Sequence, residues 1–316
     1  MLFYATVVVL LAWQVWQVHH GFLDSMGSIG WEAVVLATGF TVLANFPGFF
    51  GWRILATSTG VRITLSDATW IYFASGAARY LPGAIWPAVA QAALARKVGE
   101  SAARLVTTGL FALVLSTLSG IVVGLLAFPQ LAMDDPMWWL LFPVLISAIA
   151  IMLTPSLLAR LISFGQRILR YERHEIAPPS RKTSAATIAL CGLGWCCNGL
   201  HAAIIAIALG APPGSAITLG VGGFALGAVA GALSLTPAGI GVRELVLGLT
   251  LGLLVAGPDL VTLLVLSRAL TILGHVIATV GALGAVAGNR FMKRRHVTRR
   301  TPTATLPGPA DQVQKG

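Results

Sequence analysis

The chain has 316 residues, of which 56% are hydrophobic and 10% are charged, and its mean hydropathy is +0.83. A soluble domain carries about 25% charged residues, so this composition excludes a water-soluble globular protein. The net charge of +10 raises the question of nucleic-acid binding. In a membrane protein, however, positive charge first reports which side of the bilayer each loop faces.

Apolar blocks separated by short polar joints run along the whole chain. About 20 apolar residues in a helix cross the hydrocarbon core of a bilayer, so the pattern predicts an all-α polytopic membrane protein. No polar stretch exceeds about 30 residues, which is too short for a catalytic domain of ordinary size. The blocks cover residues 2–18, 31–51, 68–95, 104–128, 137–158, 184–209, 216–257 and 260–288.

Block 2–18 lacks a basic start and a convincing cleavage site, so we expect a retained helix rather than a signal peptide. Most Lys and Arg residues fall in alternate joints and in the tail. The positive-inside rule therefore predicts a multi-pass protein of the cell membrane with the N-terminus, the 159–183 loop and the C-terminus in the cytoplasm. The intervening joints carry no Lys or Arg and hold Asp24, Glu32, Asp134, Asp135 and Asp259.

Block 68–95 lies between Arg62 and Arg96, which this rule places on the same side. The block must then cross an even number of times, and two full crossings need about 40 residues. We therefore predict a re-entrant helical hairpin that turns at Leu81-Pro82-Gly83. The same argument predicts a second hairpin in block 216–257, turning at Pro237-Ala238-Gly239, although this longer block leaves two full spans as an alternative.

The resulting plan is about six transmembrane helices plus two re-entrant hairpins. Residues 31–128 and 184–288 form inverted repeats, an arrangement found in many transporters. They are joined by 137–183, in which segment 157–176 mixes Leu and Ile with Arg. That composition favours a helix on the cytoplasmic surface against anionic phospholipid, with an extension of the fifth helix as the alternative. We expect the basic tail, 289–316, to be disordered and to contact lipid rather than nucleic acid.

Four charged residues fall in the interior of the apolar blocks rather than at their ends, at Arg79, Arg243, Glu244 and Arg268. Each charge costs about 2.5–3.5 kcal/mol in the membrane on insertion scales, so each needs a partner or a role. One interpretation is structural, in which Glu244 pairs with Arg268 or Arg79 and locks the hairpins. The other is a cationic pocket, in which Arg79 and Arg243 bind the phosphate of an anionic head group through their planar guanidinium groups. Glycine-flanked half-helix N-termini would add free N–H groups.

Other polar residues in the blocks have simpler interpretations. We expect His201 and His275 to be hydrogen-bonded within the bundle, with a proton relay as the less favoured alternative. Cys191, Cys196 and Cys197 share one apolar block and are expected to be small core residues.

Glycines recurring every four residues, such as Gly223, Gly227 and Gly231, indicate close helix packing. No spacing indicates a metal or a cofactor, and we expect no enzymatic activity.

The two broken blocks resemble a known family. The segment Pro237-Ala238-Gly239-Ile240-Gly241-Val242-Arg243-Glu244 is similar to the Pro-Gly-Gly-x-Gly-x-x-Glu signature of the lysylphosphatidylglycerol synthase transmembrane region, also described as flippase-like. Arg79-Tyr80-Leu81-Pro82-Gly83, followed by Arg96-Lys97-Val98-Gly99, is similar to an earlier motif of that family. The resemblance covers roughly residues 1–290.

This resemblance implies a module that moves an amino-acylated phospholipid or another lipid-linked head group between leaflets. It does not extend to the aminoacyl-transferase domain of the bifunctional synthases, so we expect no lysylphosphatidylglycerol synthesis. Two departures matter: Ala238 replaces the usual second glycine, and Gln91 stands where many relatives carry a basic residue. The second departure is consistent with a less anionic head group.

The favoured hypothesis is a lipid translocase whose partners are a membrane lipid or lipid-linked substrate and anionic phospholipid. Arg79 and Arg243 would bind the phosphate, and Glu244 and Arg268 would orient them. A scaffold that holds a cell-envelope biosynthetic enzyme is the alternative from another class. An intramembrane lipid-modifying enzyme would need a second acid beside Glu244. The turn residues predicted to act as hinge and lining are Pro82, Gly83, Pro237, Gly239 and Gly241, with Gln91 on the substrate side.

Overall fold

The computed structural model describes residues 27–143 except 82, isolated residues between 144 and 178, and residues 179–300 except 235, 237 and 238. Side chains are described as far as Asn289. The predicted helix 2–18, most of segment 157–176, Pro82, Pro237 and residues 301–316 lie outside this part of the chain.

All regular secondary structure in the described part is helical, which confirms the predicted fold class. Five helical stretches in that part are long and apolar enough to cross a membrane. Four of them correspond to predicted spans, and the fifth is the first limb of the second predicted hairpin. The stretches are Trp31–Ser58, Ala102–Gly124, Arg181–Ala208, Pro213–Leu233 and Gly257–Asn289.

The first half begins with α1 (Trp31–Leu43) and α2 (Asn45–Ser58), which together form one span. Pro47 explains the break between them, because its ring clashes with the carbonyl four residues earlier, that of Leu43. Next come α3 (Leu65–Gly76), the 3₁₀ helix Ala77–Tyr80 and α4 (Trp86–Ala95). After the 3₁₀ helix Arg96–Val98 the chain enters α5 (Ala102–Gly124).

A short segment follows the first half, with α6 (Phe128–Asp134) and the 3₁₀ helix Pro136–Leu141. The second half contains α7 (Arg181–Ala208), α8 (Pro213–Leu233), α9 (Val242–Leu251) and α10 (Gly257–Arg300). Helix α7 packs against α1, α2, α5 and α8, so it links the two halves.

The two halves share one order of elements: a long span, a turn, a helix that breaks, a ten-residue helix and a second long helix. The turns after the first spans match closely. Gly60 and Gly210 both have positive φ, at 82° and 92°, and the N–H groups of Val61 and Ala211 bond to carbonyls five residues earlier. This order is what an internal repeat requires. The inverted orientation of the halves in a membrane stays a prediction.

The helix breaks lie where the sequence predicts them. In the first half the break follows Tyr80 and ends before Trp86, and in the second it lies between Leu233 and Val242. At 1.5 Å per residue, α3, α4 and α9 are about 15–18 Å long, roughly half of a hydrocarbon core of about 30 Å. Helix α8 is about 31 Å long and can span the core. Because α8 is long enough to span the core and α9 is not, the re-entrant path of 216–257 stays a prediction.

The last helix extends into the segment 289–316 that was expected to be disordered. Helix α10 continues to Arg300, so residues 289–300 are helical rather than disordered. Lys and Arg are good helix formers, and their charges are favourable at a helix C-terminus, where the dipole is negative. These two effects account for the extension of the helix into the basic segment.

Candidate functional site

A cavity of about 370 Å³ lies where the two broken segments meet. Its wall includes residues from α2, α3, α4, α5, α7, α8, α9 and α10 as well as from both breaks. The structure therefore brings together residues that the sequence analysis selected from distant blocks. Those that line the cavity are Arg79, Gly83, Gln91, Gly239, Arg243 and Arg268.

Arg243 is the most buried of the three cavity arginines and leaves only 7% of its surface exposed. Its Nη2 donates to Ser267 Oγ and to Thr271 Oγ1, both at 3.2 Å. The guanidinium carbon lies 4.6 Å from the centroid of the Phe224 ring, a cation–π contact. Among the residues whose side chains are described, no carboxylate lies within ion-pair distance of Arg243. Its Nε is buried without a hydrogen-bond partner.

Packing against α8 fixes the position of Arg243. A Cβ added at Gly227 would lie 2.9 Å from the Arg243 carbonyl oxygen, and one added at Gly231 would lie 3.1 Å from Gly239 Cα. The glycine stripe on α8 therefore lets α9 and its turn approach closely, as the sequence analysis predicts. Gly239 itself has φ +69°, a conformation that side chains other than glycine rarely adopt.

Glu244 pairs with Arg268, with Oε1 3.2 Å from Nη1, which is one of the two pairings that the sequence left open. Its other oxygen, Oε2, accepts a hydrogen bond of 2.9 Å from the Gly241 N–H. The first turn of α9 is therefore capped by the protein's own carboxylate, and the anion at this helix N-terminus is Glu244. Glu244 and Gly241 do not line the cavity, although both were predicted as site residues.

Arg79 lies in the 3₁₀ helix just before the first break and is held by α10. Its Nη1 lies 2.9 Å from His275 Nε2, and its Nε donates to the Gly76 carbonyl at 2.9 Å. An arginine can only donate, so His275 Nε2 accepts, and the proton on Nδ1 is then available to the Tyr80 hydroxyl, 2.9 Å away. All three cavity arginines lie near enough to His275 to act on it electrostatically.

Gln91 is buried on the opposite wall, where its Oε1 accepts a hydrogen bond of 3.0 Å from Trp52 Nε1. A Cβ added at Gly109 would lie 3.0 Å from that same oxygen, so α5 also fixes the amide. Gln91, which stands where many relatives carry a basic residue, therefore contributes a neutral, oriented amide to the cavity.

The structure adds residues that the sequence analysis did not assign to the site. Ser267, Thr271 and His275 recur every four residues on α10, and this spacing inside an apolar block was the signal that could have found them. The prediction that both histidines are hydrogen-bonded is confirmed. His201 Nε2 lies 2.8 Å from Ser267 Oγ, and its Nδ1 contacts the Asn198 carbonyl.

The arrangement is suited to binding an anion rather than a metal. Among residues with described side chains, no group of three His, Cys, Asp or Glu is placed to hold a metal ion. Cys191 and Cys197 are buried core residues without a disulfide, as expected, whereas Cys196 is only half-buried. Cys191 contributes to the cavity wall. Three guanidinium groups and one nearby carboxylate leave the site with excess positive charge.

Comparison with known proteins agrees with this architecture. The sequence model of the family described as Lysylphosphatidylglycerol synthase TM region matches residues 2–279. A search of curated proteins found no match. The chain is therefore a multi-pass membrane protein that belongs to the lysylphosphatidylglycerol synthase TM region family.

Proposed function

We propose that this protein is a lipid translocase, which moves a phospholipid or a lipid-linked head group between leaflets and binds the head-group phosphate in the central cavity. One observation carries the proposal. Arg79 and Arg243, each from a different broken segment, line the same cavity together with Arg268.

The charge balance of the cavity supports an anionic ligand. Glu244 compensates Arg268, whereas Arg243 has only neutral oxygens and an aromatic ring as neighbours within bonding distance among the described side chains. A charged side chain in the membrane costs several kcal/mol unless it is paired. A phosphate oxygen would supply that pairing and a strong, charge-assisted hydrogen bond.

The broken segments support movement of the ligand as well as its binding. Discontinuous helices that meet around a site are the usual construction of secondary transporters, in which one part of the protein rocks against the other. The positive φ values of Gly83 and Gly239, 92° and 69°, mark the two turns. In this proposal the turns act as hinges and the arginines stay with the phosphate.

The test is transport in liposomes. The purified protein is reconstituted with a fluorescent phospholipid or polyprenyl phosphate, and the fraction reaching the other leaflet is measured by quenching from outside. We expect the wild type to accelerate exchange and Arg79→Gln and Arg243→Gln to abolish most of it. Arg104→Gln serves as the matched control, because Arg104 is exposed and lies outside the cavity.

Equal transport by the wild type, both cavity variants and empty liposomes would refute the proposal. Such a result, combined with co-purification of a soluble enzyme with the intact chain, would favour the scaffold hypothesis instead.

A further inference from the structure

A second, smaller cavity of about 160 Å³ adjoins the central one on the side of α10. The two cavities share four wall residues: Gly76, Arg79, Tyr80 and His275. The hydrogen-bonded cluster of Arg79, His275 and Tyr80 therefore separates them. On one side of this cluster lie the other cavity arginines, and on the other side lies the smaller cavity.

The far wall of the smaller cavity is mainly apolar and opens on the outer surface of the bundle. It is formed by Phe73 in α3, Ala77 in the following 3₁₀ helix and Asn45 in α2, together with Val276, Thr279 and Val280 on α10. Val276 and Val280 are 52% and 65% exposed, so the cavity is a groove between the first broken segment and α10 rather than a closed void.

From this juxtaposition we infer that the groove holds the hydrocarbon chain of the lipid whose phosphate occupies the central cavity. The inference rests on the proposed function and adds to it the position of the substrate's hydrocarbon chain. The central cavity is cationic and adjoins the apolar groove, so the two match the phosphate end and the hydrocarbon end of such a molecule. Arg79, Tyr80 and His275 then lie at the junction of head group and chain.

The surroundings of the groove favour this occupant over a protein segment. The exposed faces of helices that span a membrane contact lipid hydrocarbon, so a groove with exposed valines on such a helix already lies among acyl chains. The polar groups of the junction are satisfied by one another, through contacts of 2.9 Å from His275 to both Arg79 and Tyr80. A chain in the groove therefore leaves no polar group of this cluster unpaired.

The test compares two ligands that share one head group. Native mass spectrometry of the detergent-solubilised protein gives the affinity for long-chain phosphatidylglycerol and for glycerophosphoglycerol, its deacylated and water-soluble counterpart. Val276→Trp and, independently, Thr279→Trp fill the groove from successive turns of α10. Ile277→Trp is the matched control, because Ile277 is 43% exposed on the same helix and lies outside both cavities.

We expect both groove variants to weaken long-chain lipid binding about tenfold, which corresponds to losing roughly two buried methylene groups. Binding of glycerophosphoglycerol should stay within about twofold of the wild type, and the control should change neither affinity.

Unchanged long-chain affinity in a folded groove variant, with normal glycerophosphoglycerol binding, overturns the location of the chain and leaves the proposed function standing. Failure of the wild type to bind either ligand, combined with no transport of phospholipid or polyprenyl phosphate in liposomes, overturns the proposed function, and this inference with it. Binding of glycerophosphoglycerol alone would identify a water-soluble phosphate as the ligand and would also overturn the inference.

Discussion

Replacing Arg243 by methionine should leave the fold almost as stable as before while weakening lipid binding. Methionine keeps a long, unbranched side chain and deletes the charge. The variant loses two hydrogen bonds from a charged donor, at about 1.5 kcal/mol each for contacts of 3.2 Å, and a cation–π contact worth about 2 kcal/mol. The loss is then about 5 kcal/mol.

The stability gained by removing this charge is of the same size as that loss of about 5 kcal/mol. Keeping an arginine in the membrane costs about 2.5–3.5 kcal/mol, and the unpartnered Nε adds about 1–3 kcal/mol. The two hydroxyls also retain partners, because Ser267 Oγ contacts His201 and Thr271 Oγ1 donates to the Ser267 carbonyl. The net change in the free energy of unfolding should therefore lie within about 2 kcal/mol of zero.

Lipid affinity should respond differently. A charge-assisted hydrogen bond to phosphate is worth about 1.5–3 kcal/mol, so its loss should weaken binding about tenfold to a hundredfold. Thermal unfolding in detergent and native mass spectrometry of bound phospholipid measure the two quantities on the same preparation.

Arg268→Met provides the contrast. It leaves the Glu244 carboxylate, whose side chain is 16% exposed, without its arginine and should cost about 1–3 kcal/mol. Adding Glu244→Gln should recover part of that loss, since the uncompensated charge is then gone. A strongly destabilised Arg243→Met variant that still binds phospholipid with wild-type affinity would refute the reasoning and make Arg243 a structural residue.

Two further predictions concern the turn and the topology. Gly239→Ala should destabilise the fold by about 2–4 kcal/mol, because alanine is strained at φ +69° and its Cβ would lie 2.7 Å from Gly231 Cα. Gly248→Ala should be neutral or stabilising in the same thermal assay, because its Cβ would make only an ordinary contact at 3.6 Å. Equal melting temperatures for the two variants would contradict the argument. In a variant without the native cysteines, single cysteines placed at Arg62 and at Arg96 should both react with an impermeant thiol reagent from the same side of the membrane. Labelling from opposite sides would rule out a re-entrant first hairpin.

The sequence by itself determined the local features of this protein. Apolar length predicts the spans, and proline and glycine predict the helix breaks, because both depend on residues that are neighbours in the chain. The cost of charge in a membrane selects Arg79, Arg243, Glu244 and Arg268 before any contact is known. Parity and charge placement also predict the hairpins, but their path through a bilayer still needs the labelling experiment.

Only the tertiary structure decided which of these residues meet. Arg79 and His275 are 196 positions apart, and no local pattern pairs them. The choice of Arg268 over Arg79 as the partner of Glu244 depends on how α9 and α10 pack, which no local pattern in the sequence specifies. The capping of α9 by Glu244, the hydroxyls around Arg243 and the groove beside α10 arise in the same way, because each depends on distances between helices that are remote in sequence.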